Sequence, residues 1–276
     1  MKLAVLADGH VSSSDEGKRG EDYAQPQGLR LLERAVAAVE AAGVDRVIVA
    51  GDLVNMGYDA EYADATRVLA PVAHRLDVIP GNHELVHSDL PTFESHFGTT
   101  PRTLDLGGVP AVLLNTAQTS MDARLWFGEM HDSSREALLA ACGRSGPLVV
   151  VMHHPFAGTV RTAPYPMMTQ TNDADLRRAV ETRPGPTLVL SGHAHRGDLR
   201  RVGTATYLGL PPVCYWPHAF VTLDIGSGAA AVETHYLVDD VADSPDAKTR
   251  DGERHLDAAG YRRDCAVPVP SFRLNW

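Results

Sequence analysis

The chain has 276 residues with 44% apolar composition, enough to bury the core of one large α/β domain or two small ones. Its formal net charge of −10 argues against general affinity for nucleic acid or an anionic membrane, and no basic stripe with interleaved aromatics offsets it. The three cysteines, Cys142, Cys214 and Cys265, are too few and too odd in number for a disulfide framework and fit a reducing compartment, Cys142 and Cys214 being read as buried small hydrophobes.

Residues 3–7 form an apolar strand that runs directly into Asp8, leaving no room for a cleavable signal segment. No apolar run approaches the roughly 20 residues needed to span a bilayer, so a cytoplasmic protein is expected. Residues 27–42 carry Leu29, Leu32, Val36 and Val39 on one helical face, with Gly43 placed to stop the helix. A strand over 47–50 ends at Gly51-Asp52, a helix covers 59–69, and a strand over 76–79 ends at Pro80-Gly81-Asn82-His83. Next come a strand at 109–115 and a helix at 133–142, the latter opened by a capping box of Ser133 and Glu136. A strand over 148–152 then ends at His153, a helix over 173–181 is capped by Asn172 or Asp173, and a strand over 187–190 ends at Gly192-His193. Segments 204–208, 220–224 and 229–237 have no helix between them and read as antiparallel strands completing a second sheet. Alternation of strand and helix makes the fold class α/β.

Five polar clusters sit behind these apolar runs, where open α/β sheets place their sites: Asp8-Gly9-His10, Gly51-Asp52, Gly81-Asn82-His83-Glu84, His153-His154-Pro155 and Gly192-His193-Ala194-His195. Imidazole nitrogen, carboxylate oxygen and amide oxygen together suit borderline transition metals. Asp8 and His10, like His193 and His195, are alternate residues that an extended backbone would turn to the same side. Two cations about 3.5–4 Å apart supply a nucleophile at neutral pH and positive charge beside phosphoryl oxygens. Holding them that close requires a shared anionic ligand, and Asp52 is the central candidate.

In these motifs the chain resembles the calcineurin-like metallophosphoesterases, whose Asp-x-His, Gly-Asp, Gly-Asn-His-Asp/Glu, His and Gly-His-x-His pattern runs complete and in order from Asp8 to His195. The resemblance implies a four-layer α/β/β/α sandwich of two mixed sheets flanked by helices. It implies two divalent or trivalent transition-metal ions (manganese, iron, zinc or cobalt), and no organic cofactor is called for. One ion would take Asp8, His10, Asp52 and His195. The other would take Asp52, Asn82, His153 and His193. His83 matches the family's catalytic histidine, Asn82 would also stabilise charge on the phosphoryl oxygens, and Glu84 would orient the His83 imidazole. The protein serine/threonine phosphatases of the superfamily carry Gly-Asp-x-x-Asp-Arg-Gly. Here Asn55 and Met56 replace the Asp-Arg pair, and the short Gly51-to-Gly57 segment with His153-His154-Pro155 looks more like bacterial cyclic-nucleotide and glycerophosphodiester phosphodiesterases.

Other residues receive plainer readings. His154 should alternate away from His153 along a strand and is read as structural. His87, His96 and His235 default to surface or core roles, and His218 is a candidate for the pocket edge. Arg196 is a candidate for phosphate or ligand support. The loop 11–27, with Lys18 and Arg19, reads as solvated, while 156–171, with Arg161, Tyr165, Met167 and Met168, reads as a substrate wall. Residues 1–238 make one metallophosphoesterase domain, and the tail 239–276 either packs on it or contacts a partner.

The expected activity is metal-dependent hydrolysis of small-molecule phosphodiesters by in-line attack of a metal-activated water, with His83 serving the leaving oxygen. Phosphomonoesterase or nucleotidase chemistry at the same site is the alternative, and a non-catalytic interaction domain a third reading. The expected partner is a small-molecule phosphate ester, with no nucleic acid or membrane, and a homo-oligomer is left open.

Overall fold

In the computed structural model, which describes residues 1–13, 27–118, 126–161, 168–239 and 271–276, the first strand is β1, Lys2–Leu6, buried from Leu3 onward. Its alternate side chains serve two cores. Leu3 and Val5 face a core shared with the second sheet, while Ala4 and Leu6 face the helices. Burial on both faces is why the segment reads as an unbroken apolar run.

Strand β1 pairs in parallel with β2, Arg46–Ala50, and β2 with β3, Leu76–Ile79. The outer face is covered by α1, Gly28–Ala41, and α2, Asp59–Leu69, through Leu31, Leu32, Val36 and Tyr62. Helix α1 stops where Gly43 takes φ +59 and its N–H bonds the Glu40 carbonyl at 3.1 Å, as expected of a glycine stop. Helix α3, Leu90–Phe97, seats Phe93 in the same core.

The second sheet contains β4, Arg102–Asp105; β5, Pro110–Leu113; β6, Leu148–Met152; β7, Thr187–Ser191; β8, Asp198–Val202; and β9, Ala205–Gly209, in the order β4-β5-β6-β7-β9-β8. Helices α4, Asp132–Cys142, and α5, Ala174–Thr182, cover its outer face through Leu138, Leu176 and Val180. Leu113, Val151, Leu190 and Leu208 on its inner face meet Leu3, Val5 and Ile48 of the first sheet. Helix, sheet, sheet and helix stack as the expected four layers.

Only one of the three later segments joins the second sheet. That one is β9, and it runs parallel to β7. The other two, β10, Ala219–Ile225, and β11, Ala229–Tyr236, return to the first sheet, β10 pairing antiparallel with β1. A last strand, β12, Phe272–Asn275, adds to the β11 edge. The Ser133 capping box is also corrected: α4 begins at Asp132 after His131, and no side chain caps it. Asp173 does stand at the N-cap of α5, but its carboxylate accepts the Ala157 N–H at 2.5 Å instead of capping the helix. Cys142 and Cys214 are buried, as expected, whereas Cys265 lies outside the described residues. Among the described residues no helix is long and apolar enough to cross a membrane.

Candidate metal centre

The carboxyl ends of β1, β2, β3, β6 and β7 deliver all five clusters to one place between the sheets. Past their last paired residues, the first two segments stay zipped together. Asp8 N–H bonds Gly51 O at 3.1 Å, His10 N–H bonds Asp52 O at 2.9 Å, and Asn55 N–H bonds Val11 O at 3.0 Å. The backbone is not extended here, contrary to the expectation for the two alternate pairs. Asp8, His10, Asp52, His193 and His195 have φ of 55, 43, 51, 65 and 50°. Left-handed backbone is rare for side-chain-bearing residues, though Asp and His tolerate it better than most. It turns each side chain sharply out of its strand.

Two donor groups result. Ligand atoms of Asp8, His10, Asp52 and His195 lie within 4.8 Å of one another, and so do those of His153, His154 and His193. Asp52 joins the groups: its Oδ2 lies 3.8 Å from His10 Nε2 and 3.1 Å from His153 Nε2. His10 Nε2 is also 3.2 Å from His195 Nε2, and His195 Nε2 is 3.4 Å from Asp8 Oδ1. Asp8, His10, Asp52, His153 and His193 are almost wholly buried. Burial disfavours charge on Asp52, but the neighbouring His153 and His83 outweigh it and hold the carboxyl well below the usual range. For His10 burial comes first, with His83 next, and both hold the ring neutral.

Backbone carbonyls set the tautomers. His153 Nδ1–H donates to Ala50 O at 2.8 Å, so the lone pair of the neutral ring is on Nε2, facing Asp52. His193 Nε2–H donates to the Trp126 carbonyl at 2.9 Å, which leaves Nδ1 as its ligand atom. His83 Nδ1–H donates to Asn55 O at 2.5 Å, so Nε2 is left to exchange a proton. The His83 N–H bonds Asp52 Oδ1 at 2.9 Å, and its ring stands 4.5 Å from His10.

Glu84 does not orient the His83 imidazole; Asn55 does. The Glu84 carboxylate accepts the main-chain N–H of Asp52 at 2.9 Å, Val54 at 3.0 Å and Gly81 at 2.6 Å. It thereby clamps the second motif to the third. Gly81 has no room for a side chain, since a Cβ there would overlap Asp52 Oδ1 and lie 2.8 Å from His153 Nε2.

The donor set fits cations on the structure's own terms. Asp8 Oδ2, Asn82 Oδ1 and His153 Nε2 are all buried without a hydrogen-bond partner. With Nδ1 donating, a neutral His153 turns a lone pair on the Asp52 carboxylate at 3.1 Å. Two acceptors at that distance require a proton or a cation between them.

Sequence reasoning missed three residues near the centre. Trp126, 40% exposed, supplies the carbonyl for His193 and holds its ring 6.2 Å from His83. Tyr215 stacks on His195 with centroids 4.7 Å apart. Thr116 contacts His154 at two atoms. None belongs to a motif, so only spatial proximity reveals them. His154 itself does not turn away: β6 ends at Met152, strand alternation ends with it, and the ring joins the His153 and His193 group.

Other expectations resolve simply. His218 is fully buried with Nδ1–H on the Val213 carbonyl at 3.1 Å, so it is no pocket edge. His87, His96 and His235 stack on Tyr58, Tyr62 and Phe220. Arg196 is buried, and Arg161 pairs with Asp198, main chain to carboxylate, at 2.8 Å. Lys18, Arg19, Tyr165 and Met167 lie outside the described residues.

Comparison with known proteins places this geometry among relatives. The family profile described as calcineurin-like phosphoesterase matches residues 1–197. A protein of Enterobacter lignolyticus named glycerophosphodiester phosphodiesterase GpdQ is 28% identical over 223 residues, 76% of this chain and 77% of that one. One of Rhodococcus erythropolis named a probable cyclic nucleotide phosphodiesterase is 25% identical over 219 residues, 73% of this chain and 67% of its own. A solved structure from Danio rerio described as a dimetal phosphatase superposes with a TM-score of 0.66 at 15% identity, covering 87% of this chain and 97% of that one, and so shares the fold.

Proposed function

We propose that this chain, which belongs to the calcineurin-like phosphoesterase family and is therefore a metal-dependent hydrolase of phosphoric esters, uses two cations to cleave small-molecule phosphodiesters. The observation that carries the reading is the position of Asp52 Oδ2, 3.8 Å from His10 Nε2 in one donor group and 3.1 Å from His153 Nε2 in the other. One ion would be held by Asp8, His10, Asp52 and His195, the other by Asp52, Asn82, His153 and His193. Bound there, the pair would supply a water-derived nucleophile at neutral pH and neutralise charge on the phosphoryl oxygens.

The chain's own groups do the rest. Glu84 holds the Asp52 and Gly81 backbones in register, so the shared carboxylate keeps its place. The Asn55 carbonyl holds the hydrogen on His83 Nδ1, so Nε2 is the nitrogen that takes up a second proton from solvent and, from the protonated ring, passes it to the departing ester oxygen. Asp8 and Asp52 are buried, and low-dielectric surroundings strengthen their attraction for a cation.

Diesters are favoured over monoesters on two grounds. Both relatives above carry phosphodiesterase names. In addition, Asn55 and Met56 stand where a phosphoprotein phosphatase would carry Asp-Arg. The mixed nitrogen and oxygen donors suit manganese, iron, zinc or cobalt, and a chain of 276 residues with three cysteines suits a reducing, cytoplasmic setting.

The test is purification without chelators, elemental analysis, and comparison of bis-p-nitrophenyl phosphate with p-nitrophenyl phosphate in added manganese. Two transition-metal ions per chain and a higher kcat/KM on the diester are expected. A chain that retains no metal sinks the two-cation site, and preference for the monoester sinks the diester assignment.

A further inference from the structure

His154 is the one histidine of the cluster without a task so far, and the fold builds its position with care. It is fully buried. Its main-chain N–H donates to Thr116 Oγ1 at 3.1 Å, its Nδ1 lies 2.9 Å from the same oxygen, and Gln170 Nε2 donates to its carbonyl at 3.0 Å. Gly128 backs the ring so closely that a Cβ there would overlap His154 Cβ and Cγ. Every side of the residue is held except Nε2.

Nε2 is buried and has no hydrogen-bond partner. The His154 ring centroid lies 4.3 Å from that of His193 and 4.8 Å from that of His153. One ring nitrogen from each of the three histidines falls within a common 4.8 Å. A neutral imidazole has one N–H and one lone pair. A hydrogen on Nε2 would be a buried donor that makes no hydrogen bond. Placed on Nδ1 instead, it is accepted by Thr116 Oγ1, and the lone pair is left on Nε2, the ring nitrogen with no hydrogen-bond partner.

We infer that His154 Nε2 is a third imidazole ligand of the cation held by Asp52, Asn82, His153 and His193, and that Thr116 is the positioning residue that sets its tautomer. The inference rests on the two-cation reading and adds to it. An extra protein ligand takes a coordination position that water would otherwise occupy, so the second ion would be the more enclosed of the two.

The experiment strips the full chain with chelator and titrates it with cobalt(II) by calorimetry. X-ray absorption then counts imidazoles per cobalt in wild type, His154→Gln and Thr116→Val. Wild type is expected to bind two ions. His154→Gln should weaken one site at least about tenfold, the lower edge of the loss for a group supporting a metal ligand, and should lower the imidazole count. Thr116→Val should weaken the same site by about 10–100-fold. Equal imidazole scattering in wild type and His154→Gln overturns the assignment whatever happens to affinity, because a merely supporting histidine would leave scattering unchanged. His154→Asn replaces the Gln variant if circular dichroism shows the latter unfolded. Wild type that binds one ion or none defeats the two-cation reading itself, a separate outcome.

Discussion

Asp8 Oδ1 accepts the main-chain N–H of His193 at 2.9 Å, a bond that crosses 185 residues to join the end of β1 to the turn after β7. One carboxylate oxygen thus fastens the two sheets together at the site, while Oδ2 is buried without a partner. Asp8→Asn separates the two duties. Its amide oxygen keeps the bond to His193, and its amide nitrogen cannot bind a cation. The metal-free variant should unfold within a few degrees of wild type, while metal titration shows one site weakened at least about tenfold. Equal affinity in both proteins would remove Asp8 from the donor set.

Asp52→Asn strikes both sites at once. The carboxylate oxygen between His10 and His153 is replaced by a group that cannot bridge two cations. Elemental analysis should show no more than one ion per chain, and turnover of bis-p-nitrophenyl phosphate should vanish. Full turnover by this variant would remove the mechanism.

His83→Ala leaves every proposed ligand in place. Metal content should match wild type, and kcat should fall by roughly 10²–10⁴, the usual contribution of a positioned proton donor. Steady-state kinetics on a fully loaded sample checks this, and an unchanged kcat would assign the proton to another group.

Glu84→Gln probes the clamp. Glu84 Oε2 accepts two main-chain N–H groups and Oε1 a third. A glutamine has one acceptor end, so at least one buried N–H loses its partner, at a cost of about 1–3 kcal/mol. Thermal unfolding of the metal-free protein should shift down by several degrees, and coincident melting curves would contradict the clamp.

Proton release reports cation entry. Burial lowers the affinity of His153 for a proton, but the Asp52 carboxylate at 3.1 Å outweighs it and carries the metal-free pKa up to about 9. A raised histidine pKa stabilises the fold fully below the unfolded value near 6.5, and the contribution is lost as pH rises through about 9. Binding a cation requires the neutral ring. Glu84, pushed up to about 7 by burial and by Asp52, is already mostly ionised at pH 8. Calorimetry at pH 8 in buffers of different ionisation enthalpy should therefore show about one proton displaced from His153, fading well above pH 9. Absence of proton release at pH 8 would mean that the ring is neutral beforehand.

The strand ends and the motif residues behind them were legible because apolar runs and polar punctuation are local signals. The return of β10 and β11 to the first sheet was not. Strand β10 occupies the edge of β1 opposite β2, a pairing between segments far apart in the chain that no local period encodes. Helix α3 has only eight residues, too few for a clear period. The direction of His154 was misread because strand alternation was carried two residues past Met152, where β6 ends. Glu84 was assigned to the nearest imidazole in sequence, whereas three unpaired N–H groups in the turns made the stronger demand.

The left-handed backbone at Asp8, His10, Asp52, His193 and His195 has a kinetic consequence. Such conformations cost the fold about 1–3 kcal/mol each at their most strained, whether or not an ion is present, and here core packing and paired turns impose them. The donors therefore stand ready before an ion arrives. Loading is expected to track how quickly a hydrated ion sheds its water, and stopped-flow loading rates that are the same for nickel and manganese would contradict it.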